Sequence, residues 1–197
     1  AMARAYSKGH IKTFTIQAKG SAMTDSTQPL NGVKIVDIAN FLAGPISSMF
    51  LADFGAEVVK VEAPGGDVFR YGAPSAHSRA MGPGYIALNR GKQSLVLDLK
   101  QDPACEVLRR LIATADVMVH NMRTNAIERL GFGYGSVANI KPDIVYCAAQ
   151  GYGTAGPYCD RPAYDDALQV ESGLAKLFEK TTGQPVLTPT ILVDKMV

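Results

Sequence analysis

The sequence contains no apolar run approaching the roughly 18 to 20 residues that a bilayer span needs. A membrane-spanning helix is not expected. Cysteine is also scarce: Cys105, Cys147 and Cys159 are odd in number and widely spaced. That spacing gives neither a disulfide framework nor the paired CxxC pattern of a zinc site. A reduced, cytoplasmic setting follows as the expectation. The histidines His10, His77 and His120 are scattered too, and none sits at metal-ligand spacing, so no metal is expected.

Charge of one sign is missing from the first 22 residues, which hold Arg4, Lys8, Lys12 and Lys19 and no acid. Removing those four from the formal charge of +2 leaves 16 basic against 18 acidic residues, or −2, from Met23 onward. The body of the protein therefore lacks the basic footprint of a nucleic-acid or membrane-surface binder. Residues 1–22 also lack the 7 to 15-residue apolar stretch of a secretory signal. They read as an added or upstream extension set apart from the fold, with a basic targeting arm as the alternative. Residues 23–197 read as the folded unit.

Of the 197 residues, 47% are hydrophobic and 19% charged, values that suit a globular core. From Val33 the chain repeats one pattern: a short apolar run, a turn, then a helical stretch. Val33 to Ile38 is rich in β-branched residues and follows Gly32, as a buried strand does. Pro45 suits a first helical turn, and the helix runs to Phe54, with Gly55 where a left-handed C′ residue belongs. Glu57 to Glu62 reads as the next strand. Strand, helix and strand fit within about 30 residues, the size of a βαβ unit.

The Gly- and Pro-rich stretch from Ala63 to Gly91 has no clear period, and a loop of that length suggests function. Further strands are expected at Ser94–Leu99, Val117–Val119 and Ile144–Ala149. Helices are expected from Asp102-Pro103, with Asp102 as N-cap, around Ala126–Leu130 and Ser136–Ile140, and from Asp165 to Leu177. This alternation predicts an α/β fold with a Rossmann-like, mostly parallel, doubly wound sheet. The chain stops at Val193–Val197 without a polar tail, which reads as an interruption.

In such sheets ligands lie beyond the carboxyl ends of the strands. Ala39 to Pro45 follows the first strand, is small and flexible enough for a ligand to approach the backbone, and leads into a helix N-terminus suited to an anion. The same residues also make an ordinary strand-to-helix turn. His120-Asn121-Met122-Arg123 follows a later strand, with Arg129 a turn or two on; arginine offers a planar fork for phosphate, or simply solvated charge. Lys92 and Lys100 flank the third strand. Gly151 to Pro157 has no Walker lysine followed by Ser or Thr and precedes no immediate helix, so it is neither a P-loop nor a dinucleotide fingerprint. Nicotinamide and ATP enzymes are therefore disfavoured. Asp165 and Asp166 stand at a helix start, as pocket carboxylates or as capping charges.

Taken in order, these segments resemble the amino-terminal half of the class III CoA-transferase family (CaiB/BaiF type), which includes the α-methylacyl-CoA racemases. The resemblance is carried by Pro29–Asp37, Ala43-Gly44-Pro45, Leu51–Glu62, Gly66-Asp67 with Arg70, and Asn89–Ser94. Leu97–Lys100, Ala115–Asn121, Arg129-Leu130-Gly131, Gly151-Tyr152-Gly153 and Gly156-Pro157 continue it. It implies a CoA-binding Rossmann-like domain, a full chain about twice this length with a second domain and return segment, and an interlocked homodimer. It implies acyl-CoA and a carboxylic acid as substrates, and CoA contacts at Asn40, Ala43, Leu97, Lys100, Asn121, Ala126 and Arg129. Leu42 replaces a glutamine, and Ala63 a basic residue, found in some members.

Transferases of the family use an aspartate nucleophile that forms anhydride and thioester intermediates. Ungapped counting sets that aspartate at Thr182, which cannot form an anhydride. The family's racemases use a His and an Asp; the same counting gives Tyr164 and Asp194, and tyrosine is a poor base near neutral pH. The candidate catalytic carboxylates are Asp165 first and Asp194 second. A CoA-transferase is the expected activity, with an acyl-CoA racemase or a non-catalytic CoA-binding protein as the alternatives.

Overall fold

The computed structural model describes residues 12–15, 28–75 and 78–196. Most of the extension over residues 1–22, with His10, lies outside the described residues, as do Met23 and His77.

Six strands form one sheet: β1 (Lys12–Thr15), β2 (Lys34–Asp37), β3 (Glu57–Glu62), β4 (Gln93–Val96), β5 (Val117–His120) and β6 (Val145–Ala148). Their order is β1-β4-β3-β2-β5-β6. All pairings among β2 to β6 are parallel, and β1 joins the β4 edge antiparallel. Lys12–Thr15 thus pairs with the sheet from within the segment that the sequence sets apart. The mostly parallel α/β sheet matches the expectation.

Alternation along the strands decides which face each residue covers. Val36, Val61 and Met118 point to one side, into a cluster with Leu108, Ile112, Ile127, Phe132 and Val137. Those partners come from α3 (Asp102–Ala113), α4 (Thr124–Arg129) and α5 (Tyr134–Ile140), together with the loop before α5. Ile35, Val58 and Val119 point to the other side and pack with Leu51 and Ala52 of α1 (Ala43–Asp53). Burying each such side chain contributes roughly 1.5 to 3 kcal/mol, so helices on both faces hold the short strands in place.

The βαβ unit closes as its sequence suggests. Gly55 sits at φ +101°, its N–H bonds to the Ala52 carbonyl, and Ala56 N–H bonds to the Leu51 carbonyl. These two bonds make a Schellman stop, which requires the left-handed conformation that glycine takes without strain.

Three expectations differ. The helix read from Asp165 to Leu177 is two: α6 (Asp165–Glu171) and α7 (Leu174–Thr182), separated at Gly173, where φ is +79°. Asp102 is the first residue of α3 rather than its cap; Gln101 occupies the cap position without a side-chain bond. The stretch Ala63–Gly91 holds a 3-10 turn at Val68–Tyr71 and α2 (Pro83–Leu88). No helix among the described residues is long and apolar enough to cross a membrane.

Candidate functional site

The strand order reverses between β2 and β5, and the chain leaves those two neighbours in opposite directions across the sheet. A crevice must open where the connections diverge, beyond the carboxyl ends of the strands. A cavity of about 710 Å³ lies there, bordered by Asn40 to Ala43, Asn121 to Arg123, Ala149 to Tyr152, Cys159 and Arg161 to Tyr164, with Asp194 in its wall. That volume falls within the range of small-molecule sites.

Side chains from four positions fix the backbone of the loop after β2. Ala39 N–H donates to Asp37 Oδ1 at 2.9 Å, and Lys60 Nζ donates to the Ala39 carbonyl at 2.7 Å. Asn40 N–H donates to Asn121 Oδ1 at 2.9 Å, while Asn121 Nδ2 donates to the Asn40 carbonyl at 2.6 Å. Phe41 N–H reaches both oxygens of Asp67, at 3.2 and 3.3 Å. Phe41 is the one described residue other than glycine with a positive φ, +70°. Such a conformation costs on the order of 1–3 kcal/mol and persists only where its surroundings impose it.

Under the loop lies a layer of buried charge. Lys60 and Asp67 pair at 3.0 Å, both fully buried. Lys92 Nζ contacts Asp37 Oδ2 at 3.0 Å, the Pro45 carbonyl at 2.8 Å and Asn89 Oδ1 at 3.0 Å. Burial draws the Lys92 ammonium down to about 8, against the pull of Asp37. Glu62 receives Arg70, Tyr85 and Ser94. Burial alone would raise Glu62, but the Arg70 and Ser94 bonds and the Arg70 charge outweigh it and bring the carboxylate down to about 2. Three carboxylates (Asp37, Glu62 and Asp67) face three cations (Lys60, Arg70 and Lys92), so the layer is balanced and rigid. Sequence patterning does not mark these groups as a functional set. The available signal was Lys60 and Glu62 inside the otherwise apolar run of β3, where a buried strand would not ordinarily carry charge.

The expected site residues divide by position. Asn40, Ala43, Asn121, Ala126 and Asp194 border the large cavity together. Leu97 is buried in the core, and Lys100 and Arg129 are exposed; none of these three borders the cavity. Leu42, the residue in place of glutamine, is buried at the cavity wall, and Ala63 is exposed. Thr182 is exposed at the end of α7 and does not border the cavity; its hydroxyl lies within hydrogen-bond distance of the Phe178 and Gln184 carbonyls, to one of which it donates.

Asp165 and Asp194 are adjacent but differently employed. Asp165 Oδ1 accepts the N–H groups of Leu192 (2.8 Å) and Asp194 (3.0 Å), and Oδ2 accepts Gln169 Nε2 at 2.6 Å. Burial works to raise Asp165, and these donors overcome it and hold the group below its ordinary value. Asp165 thus ties α6 to the 3-10 turn Val193–Lys195 that carries Asp194. Asp194 borders both the large cavity and a second one of about 300 Å³. Burial first, and then the Asp165 charge, push the Asp194 carboxyl up. A raised carboxylate is a stronger nucleophile once ionised.

Among the described residues no group of three or more His, Cys, Asp or Glu is placed to hold a metal ion.

Comparison with known proteins places these features in a family. Residues 30–197 match the model of CoA-transferase family III. The chain is 38% identical over 178 residues to the succinate–glutarate CoA-transferase of Agrobacterium fabrum, covering 87% of this chain and 44% of that protein. It is 36% identical over 172 residues to the succinyl-CoA:glutarate CoA-transferase of Homo sapiens, covering 86% of this chain and 39% of that one. The crystal structure of a CAIB/BAIF family protein from Brucella suis superimposes with a TM-score of 0.79 at 35% identity, over 85% of this chain and 45% of the other. The chain spans less than half the length of each of these relatives. By its matched sequence and its fold, this chain belongs to CoA-transferase family III.

Proposed function

We propose that the switch-point cavity binds a coenzyme A thioester and that the protein moves CoA between carboxylic acids, with Asp194 as the reacting carboxylate. The observation that carries this reading is Asp194 itself: a carboxyl pushed upward, in the wall of a cavity closed by the Asn40 and Asn121 loops. Asp194 Oδ attacks the thioester carbonyl carbon, the C–S bond breaks, and CoA leaves as thiolate, giving an acyl-aspartyl anhydride. The thiolate returns to the aspartyl carbonyl and releases the first acid as its carboxylate. The acceptor carboxylate then attacks this aspartyl thioester, expelling CoA thiolate and forming a new anhydride, and the thiolate attacks the acceptor's acyl carbonyl to give the new acyl-CoA and free the Asp194 carboxylate. Asp165, with both oxygens occupied, positions the turn that bears Asp194.

Relatives named for succinate, glutarate and malate support acids of the dicarboxylic kind as partners. The same reading takes the working form to be an interlocked homodimer in a reducing, cytoplasmic setting, in keeping with three unpaired cysteines. Arg129, exposed at the end of α4, is assigned to a CoA phosphate outside the cavity. Calorimetric titration with CoA tests the assignment. Saturable binding that weakens about tenfold in Arg129→Ala is expected for loss of one charge-assisted contact. Absence of binding would overturn the CoA reading, and unchanged affinity in the variant would overturn the role of Arg129.

A further inference from the structure

Phe41, together with Tyr164 and Asp194, borders both cavities. It meets the Phe69 ring edge-on at 4.8 Å between centroids and the Tyr164 ring at 6.1 Å. The Phe41 backbone stands at φ +70°, which an L side chain rarely adopts. The groups that impose that conformation come from elsewhere in the chain. Asp67, 26 residues away, takes the Phe41 N–H. Lys60 holds Asp67 at 3.0 Å and, with the same ammonium, the carbonyl of Ala39 at 2.7 Å. One buried ion pair therefore grips the loop on both sides of Asn40. Asp67 also caps the following 3-10 turn through Phe69 N–H at 2.9 Å, which sets the ring that Phe41 packs against.

We propose that Asp67, clamped by Lys60, is a positioning residue: it holds Phe41 in the left-handed conformation and so sets the wall between the CoA cavity and the smaller pocket beside Asp194. The proposal rests on the CoA reading above. A pair serving stability alone has no need to aim its carboxylate at the amide of the strained residue. Both partners are fully buried, so the arrangement is fixed rather than exchanging with water.

Two double variants separate positioning from bulk stability, since both remove both charges and strand neither. Lys60→Met with Asp67→Asn keeps an acceptor for the Phe41 amide; Lys60→Met with Asp67→Leu removes it. CoA affinity, read by calorimetry, is expected to be about tenfold tighter in the first than in the second. Equal affinities of the two double variants would overturn the proposal. Amide hydrogen exchange on the unaltered protein gives a second reading that depends on neither variant folding nor CoA binding. Phe41 N–H is expected to exchange slowly, and exchange as fast as that of an open loop amide would refute the clamp. If the unaltered protein binds no CoA while this amide is protected, the CoA reading fails and the clamp stands.

Discussion

Asn40 and Asn121, 81 residues apart, exchange a pair of hydrogen bonds: the backbone N–H and carbonyl of Asn40 meet the side-chain carbonyl and amide of Asn121. The pair spans the point where the strand order reverses and fastens the loop after β2 to the end of β5. An amide side chain alone offers a donor and an acceptor in the geometry of a peptide group, so few residues can replace it.

Asn121→Ala should therefore release the loop without emptying the core. CoA affinity is expected to fall about tenfold, for two lost hydrogen bonds near 1 kcal/mol each partly offset by water. Asn121→Asp keeps the acceptor and loses the donor, and it sets a carboxylate against the Asn40 carbonyl. Its affinity should be no better than that of Asn121→Ala, as read by calorimetric titration.

His120 makes stability depend on pH. It is almost wholly buried at the end of β5, with Nδ1 accepting Met122 N–H and Nε2 without a partner among the described residues. Burial lowers it to about 4, against a smaller opposing effect of the Met122 bond. Between pH 6.5 and 4 the unfolded chain binds a proton that the folded protein refuses, so stability falls as pH falls. Complete loss amounts to about 3 kcal/mol. Glu62, lowered to about 2, loses its contribution only below its unfolded value near 4.5, so the window from pH 6.5 to 5 reports chiefly on the histidine. Urea unfolding across that window should show the decline, and His120→Phe should flatten it.

Lys92 links β4 to the start of α1 through Asp37 and the Pro45 carbonyl. Lys92→Met removes the cation and leaves the Asp37 carboxylate buried, with the Ser48 hydroxyl and Ala39 N–H as its remaining donors among the described residues. A loss of about 3–5 kcal/mol is expected. Combining it with Asp37→Asn removes the stranded charge and should recover part of that loss in denaturant unfolding.

The βαβ unit is readable in the sequence because its signals are local: a β-branched run, a proline in the first helical turn, and Gly55 at the stop. Where Gly173 divides the last helix, the sequence shows only an isolated glycine in an apolar period, which a continuous helix also tolerates. The loops after β2 and β5 stand out separately, yet their union through Asn40 and Asn121 depends on sheet order, which no local pattern contains. Ungapped counting leads to Thr182, which is exposed at a helix end; such a count does not survive a change of loop length, which leaves a fold intact. The sequence sets Asp165 ahead of Asp194 as the candidate carboxylate; the hydrogen bonds around Asp165 give the two different work. That division arises from a turn 29 residues downstream, beyond the reach of spacing arguments.

The central claim is that Asp194 reacts with the thioester. Incubation with succinyl-CoA in the presence of hydroxylamine, followed by peptide mass spectrometry, tests it most directly. The account predicts an aspartyl hydroxamate at Asp194, absent from Asp194→Asn. A hydroxamate at Asp165 or another carboxylate, or none at all in protein that binds CoA, would contradict it.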